Sequence, residues 1–279
     1  GDELVPQSIP KVGFVQIASD ITSYNQLKQK LKNNQLKNSF YSNLSHELKT
    51  PLNLIYSASQ ILDYKSNKNN KYINIIKQNY FRLLKMINNI LDISKMESGF
   101  YQLNLQNCNI VKLIKDITDS VHEYIKSKGI TFNIDIEVKK KIIACDQFNI
   151  ERVLLNLLSN AVKFTPKGGK ISISVTSSKD NIVITVKDTG IGIPANRQKE
   201  IFKRFKQVNN DHKGSGLGLY ISQSIIEMHQ GTIEVESQKG KGTKFIIKLP
   251  IKKLSSDKNS SPDIDMGIDK IDLEFSDII

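Results

Sequence analysis

Four histidines occur among the 279 residues, and one of them, His46, stands in "SHELKTP" beside a carboxylate. An imidazole near neutral pH is a good nucleophile when its tautomer is fixed. Glu47 is the neighbour that would take the ring proton and expose the other nitrogen. Thr50 lies one helical turn on, on the face of His46. Pro51 has no N–H to donate to the Glu47 carbonyl, so the helix is expected to bend just past the histidine. The other three histidines have blander settings. His122 reads as a surface or boundary residue of a helix, His212 as part of a loop, and His229 as a cation suited to the dipole at a helix end.

A second group of residues points to phosphate chemistry. "DTGIGIP" (Asp188 to Pro194) directly follows a strand, and "GSGLGL" (Gly214 to Leu219) opens a helix. Glycine lets a ligand approach the main chain. A Gly-rich loop running into a helix start offers unpaired amides and the positive end of the helix dipole, for which phosphate is the natural ligand. In "ERVLLNLLSNAVKF", Asn156 and Asn160 share one helix face. Asparagine is a poor interior helix residue, so a pair on one face suggests a shared polar partner, although an exposed polar face explains it equally well. An amide oxygen is a hard ligand of the kind Mg²⁺ accepts while bridging phosphates. Lys163, one turn further, would reach a phosphate.

Two kinds of element must position these groups. From Tyr24 to Leu62 the pattern is helical, with Leu27, Leu31, Phe40, Leu44, Leu48, Leu52, Ile55 and Leu62 on a stripe. A second helix is expected from about Lys71 to Met96, ended by Gly99 in "ESGF". The pair forms a long antiparallel hairpin, and burying both stripes calls for a dimer that closes a four-helix bundle. After Phe100 helical stretches (Asn109 to Ser127, Gln147 to Lys163) alternate with β-rich runs: "ITFNIDIEV", "KISISVTSS", "NIVITVKDTG", "GTIEVES" and "GTKFIIKLP". That texture predicts an α+β domain, an α/β sandwich in which one mixed sheet is covered by helices on one side. The chain is therefore multidomain, α followed by α+β.

Composition adds limits. No run of about 18 apolar residues marks a membrane helix, and the acidic start "GDELVPQSIP" is no signal peptide. The net charge of +12 comes mostly from dispersed lysines without an aromatic-interleaved basic patch, so no nucleic-acid partner is expected. Seven acids against two lysines after Ser255 leave that tail at −5 and the body at +17. Cys108 and Cys145 have no metal-ligand spacing and read as small buried apolar groups in a reducing compartment.

In this order and spacing the motifs resemble the catalytic core of sensor histidine kinases over about residues 20 to 252. "NLLSNAVKF" looks like the N box, "DTGIGIP" the first G box, "IFKRFKQ" the F box, "GSGLGL" the second G box, and "SHELKTP" the H box with its phosphoacceptor histidine. The resemblance implies ATP and Mg as cofactors. It makes Asp188 the acceptor from the adenine amino group and Asn160 the metal ligand, with Asn156 close by. Lys163 would contact phosphate and Phe164 pack near adenine. Gly190, Gly192, Gly214, Gly216 and Gly218 would shape the loops, while Ile193, Phe202, Ser215 and Leu217 complete the nucleotide contacts. The stretch between Pro194 and Gly214 would be a mobile lid. An arginine common after the second F-box phenylalanine is replaced by Lys206, which leaves Arg204, Lys203 or Lys206 to supply its charge.

The activity so implied is autophosphorylation of His46 within a homodimer, then transfer to an aspartate on a separate response regulator. Thr50 would help dephosphorylate that regulator. Residues 1–20, with "VGFVQIA" as a last strand, resemble the end of a PAS-like sensor domain, so a sensor and any membrane anchor are expected upstream of a core on the cytoplasmic side. Residues 21–99 are then the dimerisation and phosphotransfer domain, 100–252 the ATP-binding domain, and 253–279 a linker and acidic tail. In that tail Ile271, Leu273 and Phe275 alternate as in a strand that would dock on the basic domain at a sheet edge, although a disordered tail explains the segment equally well.

Overall fold

The computed structural model describes residues 71–206, 215–255 and 270–276, together with Lys49 and part of the helix through residues 52–62. His46, Glu47, Thr50, His212, Gly214 and the N-terminal strand lie outside the described residues.

Helix α1 (Lys71–Glu97) is the second arm of the predicted hairpin. Gly99 ends it with φ at +73°, a conformation that costs glycine little. Tyr80, Phe81 and Leu84 pack on Leu52 and Tyr56 of the preceding helix. The Tyr56 and Tyr80 rings stack at 4.6 Å, and the Tyr80 hydroxyl donates to Asn53 Oδ1 at 2.7 Å.

The α/β domain follows. Strand β1 (Gln106–Asn109) leads into helix α2 (Ile110–Ser127), then β2 (Thr131–Ile136), β3 (Ile142–Cys145) and helix α3 (Gln147–Phe164). Next come β4 (Lys170–Ser177), β5 (Asn181–Asp188), helix α4 (Gly218–Met228), β6 (Thr232–Gln238) and β7 (Gly242–Pro250). The five predicted runs are the five strands of one sheet, in order β2-β4-β5-β7-β6. Only β2–β4 is parallel, so the sheet is mixed as expected. Along β5 the alternation buries Ile182, Ile184, Val186 and, by the same parity, Asp188. The apolar face of the sheet and helices α2, α3 and α4 share one core.

Strands β1 and β3 are too short to alternate visibly, and sequence reading missed both. They pair antiparallel, with Gln106 opposite Cys145 and Cys108 opposite Ile143. This diagonal brings Cys108 and Cys145 together as a disulfide, with Cα atoms 6.4 Å apart. Both cysteines are buried, as expected, but neither is free.

Two further expectations are corrected. His229 is no helix-end cation. It is buried, its Nε2 accepts from the Asp146 N–H at 3.0 Å, and Nδ1 lies 2.7 Å from the Ile225 carbonyl, which makes Nδ1 the protonated nitrogen. Burial pushes its pKa below 6.5, against the Ile225 carbonyl and the Asp146 charge. The tail is no edge strand either. Helix α5 (Lys270–Glu274) contacts α1 and α3, and Glu274, Phe275 and Ser276 are buried consecutively rather than alternately. Its carbonyls find side chains instead of a ladder: Arg82 Nε donates to the Ser276 carbonyl at 3.0 Å and Ser159 Oγ to the Glu274 carbonyl at 2.9 Å.

A neutral buried His229 has a consequence for stability. Below pH 6.5 the unfolded chain binds a proton that the folded chain resists, so stability falls as pH drops toward the depressed folded pKa. Thermal unfolding midpoints measured from pH 7 to about 5 should fall less steeply for His229→Gln than for the parent. An equal slope in the two proteins would contradict a neutral His229.

Candidate functional site

The buried parity of β5 drives the Asp188 carboxylate to the inner end of a cleft between α3, α4 and the sheet. Its Oδ1 accepts from the Gly190 N–H at 2.8 Å and the Thr243 N–H at 3.2 Å. The other oxygen is left as an acceptor for the cleft. Burial pushes the Asp188 pKa up, while those two backbone donors pull it down. Around it the walls are apolar: Ile191, Ile193, Ile201 and Phe245 line this part of the cleft. Glycine is required twice nearby. Gly192 has φ at +66°, and any Cβ there would strike the Gln238 carbonyl. Gly242, at +96°, lies against the Asp188 carbonyl in the same way. A flat apolar group with an exocyclic N–H fits this end.

The other end is polar. Asn156 is buried and donates through Nδ2 to Ser222 Oγ at 2.9 Å. Its amide oxygen therefore faces Gly218, the first residue of α4, where a Cβ would approach Oδ1 to 2.5 Å. Gly216, at φ +70°, accepts from the Phe205 N–H at 3.0 Å and ties the F-box stretch to the second glycine loop. Asn160, Lys163, Ser215 and Gly216 line the cleft, and the Lys163 ammonium lies 5.4 Å from the centre of the Phe164 ring. The start of α4 presents free amides and a positive dipole end here. This end suits a chain of phosphates.

Ten of the predicted contacts thus line one cleft: Asn156, Asn160, Lys163, Phe164, Asp188, Gly192, Ile193, Ser215, Gly216 and Gly218. Four others do not line it. Leu217 is buried in the core, and Phe202 packs edge-on against Phe245 at 6.4 Å. Gly190 is pressed against the Phe164 carbonyl. Arg204 turns outward, paired with the Glu97 carboxylate, donating to the Tyr220 hydroxyl at 2.5 Å and lying over that ring. Of the three basic candidates for the missing arginine, Lys206 is the one that lines the cleft.

Lys85 and Asn89 of α1 also line it, and sequence reading missed both. They are one turn apart on one face, but nothing in the sequence shows that α1 docks on the domain after it. The docking rests on Arg152 of α3. Arg152 Nη1 meets Asp92 Oδ2 at 2.5 Å and Nη2 donates to Asn89 Oδ1 at 2.8 Å. Its Nε lies 3.8 Å from Glu274 Oε1. Burial alone would lower its pKa, but the Asp92 and Glu274 charges raise it above the ordinary arginine value.

Asp188→Asn should separate binding from folding. Asn retains an oxygen for both backbone donors and removes a buried charge, so the melting temperature should hold or rise. Adenine nucleotide affinity should fall by about tenfold or more, measured by displacement of a fluorescent nucleotide, because an amide matches the amino group poorly. Unchanged affinity would contradict the assignment of this end of the cleft.

Comparison with known proteins agrees with this geometry. Residues 36–99 match the family described as His Kinase A (phospho-acceptor) domain. Residues 145–253 match that described as Histidine kinase-, DNA gyrase B-, and HSP90-like ATPase. The chain is similar to Histidine kinase P4 of Formosa agariphila, at 39% identity over 78% of this chain and 17% of that protein. It is also similar to Sensor histidine kinase TmoS of Ectopseudomonas mendocina, at 38% identity over 77% of this chain and 23% of that one. It thus spans less than a quarter of the length of either relative. Among solved structures, full-length ShkA in complex with AMPPNP matches with a TM-score of 0.66 at 25% identity, over 78% of this chain and 47% of that one. Histidine kinase ThkA in complex with response regulator TrrA matches with a TM-score of 0.55 at 25% identity, over 83% of this chain and 67% of that one.

Proposed function

Because the chain belongs to the histidine kinases, we propose that it moves the γ-phosphoryl group of Mg·ATP onto His46 and from there to an aspartate of a separate response regulator. The observation that carries this reading is the two-ended cleft, with a buried carboxylate at the apolar end and amide, amine and helix start at the other.

Adenine enters against Asp188, which accepts from its amino group; guanine would present an oxygen there and be repelled. The phosphates lie along the start of α4 with Lys163 beside them. Asn160 is the proposed Mg²⁺ ligand. The fit is chemical: a single neutral amide oxygen suits an ion that keeps most of its waters and takes phosphate oxygens as its other ligands. Mg²⁺ would neutralise charge on the phosphates as they separate. Glu47 accepts the proton from one ring nitrogen of His46, and the other nitrogen attacks the γ-phosphorus in line as its bond to the bridging oxygen breaks and ADP leaves. Such transfer depends on positioning more than on covalent help, so the ATP domain must bring its phosphate end to His46. Thr50 is proposed to place water for dephosphorylating the regulator.

A homodimer is part of the proposal. On α1, Ile76, Leu83 and Ile90 are spaced by seven and remain 39%, 49% and 40% exposed in the single chain. A second copy would cover that stripe in a four-helix bundle. The ThkA complex with TrrA favours a response regulator as the second partner. Residues 1–20 are proposed to continue from a PAS-like sensor, and the core to act on the cytoplasmic side, where ATP is available. No helix among the described residues is long and apolar enough to cross a membrane.

His46→Gln should abolish incorporation of label from γ-labelled ATP while leaving nucleotide affinity within about twofold, since the residue lies on the other domain. Continued labelling would sink the phosphoacceptor assignment. Asn160→Ala should weaken nucleotide binding by about tenfold in Mg²⁺ but little in EDTA. An equal loss in both conditions would argue against a metal role.

A further inference from the structure

Lys85 and Asn89 enter the cleft from α1 at the end where Asn156 and Gly218 lie. The Lys85 ammonium already has a partner there. It lies 3.0 Å from Glu274 Oε2 and donates to the Glu274 carbonyl at 2.7 Å. The pair is well shielded, with side chains 13% and 7% exposed. Glu274 belongs to the acidic tail, and its other oxygen faces Arg152. One carboxylate therefore holds two cations, of which Lys85 borders the proposed phosphate end.

We propose that Lys85 recognises the terminal phosphate of ATP and that Glu274 competes with that phosphate for it. The proposal rests on the kinase reading above. Among the described residues three lysines line the cleft: Lys85, Lys163 and Lys206. Of these three, Lys85 comes from the helical arm, the part of the chain that carries the proposed acceptor histidine. An ammonium on a flexible stem has three rotatable donors and can turn from a carboxylate to a phosphate without moving its helix. The terminal phosphate is what distinguishes ATP from ADP. Reading it from α1 would tie recognition of the triphosphate to the position of the helical arm.

The competition has a structural consequence. Once Lys85 turns to phosphate, the buried Glu274 carboxylate keeps only Arg152, at 3.8 Å, as a cation among the described residues, and the Lys85 hydrogen bond to the tail backbone is lost as well. A buried carboxylate deprived of a partner is costly. ATP should therefore loosen the tail, and the tail should oppose ATP. In the resting chain α5 acts as a clasp across α1 and α3.

Nucleotide displacement on the full chain tests this. Lys85→Gln should weaken ATP binding by about tenfold and leave ADP within about twofold. Glu274→Gln should strengthen ATP binding about threefold or more, with the gain absent from the double variant. Deleting residues 270–279 should reproduce that gain and guards against misfolding of the point variant. Amide exchange across residues 270–276 in the parent should quicken with a non-hydrolysable ATP analogue and not with ADP. An ATP-to-ADP ratio unchanged in Lys85→Gln, or a Glu274→Gln gain that survives without Lys85, would overturn the proposal while leaving the kinase reading intact. A parent chain that binds neither nucleotide would overturn both.

Discussion

The arrangement of the molecule depends on one guanidinium that has to be neutralised. Arg152 projects from α3 into the space between the α/β domain and the helical arm. There it draws Asp92 and Asn89 from α1 and Glu274 from α5. Removing one partner from such a shielded group costs about 3–5 kcal/mol, far more than a surface ion pair. A single side chain thus fixes three elements, and with them the face that α1 turns toward the cleft. Next to it the link between arm and domain is stitched by hydrogen bonds. The Tyr101 hydroxyl donates to Asn149 Oδ1 at 2.7 Å, and Asp146 accepts from the Asn104 and Asn149 N–H groups. Burial pushes Tyr101 up to about 12, so it stays a donor across the working pH range.

The cleft follows from simpler rules. Period-two alternation carries β5 inward at Ile182, Ile184 and Val186 and so buries Asp188 at the strand end, where a carboxylate would otherwise be solvated. Two left-handed glycines let the flanking loops close around it without a Cβ in the way. The opposite end is set by a helix start, whose unpaired amides no strand could offer. One end suits a base and the other a phosphate chain, so the proposed polarity of a bound nucleotide follows from the fold itself.

Much of this was legible in the sequence, and the exceptions share a cause. The five long strands alternate clearly, and "ESGF" marked the end of α1 to within a residue. Ten predicted contacts do line one cleft, because glycine loops and an asparagine pair are local signals. What was missed is non-local. Four-residue strands β1 and β3 carry no period, so the meeting of Cys108 with Cys145 was invisible. Arg204 lies in the right motif, but Glu97 and Tyr220, remote in sequence, turn it away. His229 looked like a helix-end cation until the Asp146 amide occupied its Nε2. Alternating Ile271, Leu273 and Phe275 suggested a strand, yet the Glu274 and Ser276 carbonyls met side chains of α3 and α1, not another strand. Lys85 entered the cleft only because Arg152 holds α1 there.

Phosphoryl transfer to His46, as proposed, would draw on the cleft that the described residues build. Its most direct measure is the chemistry of the phosphoprotein formed with Mg·ATP labelled at the γ position. Phosphorus on an imidazole is lost in acid and survives in base. The label on the parent chain should be acid-labile and base-stable. An acid-stable label, or none at all from a chain that binds ATP, would contradict it.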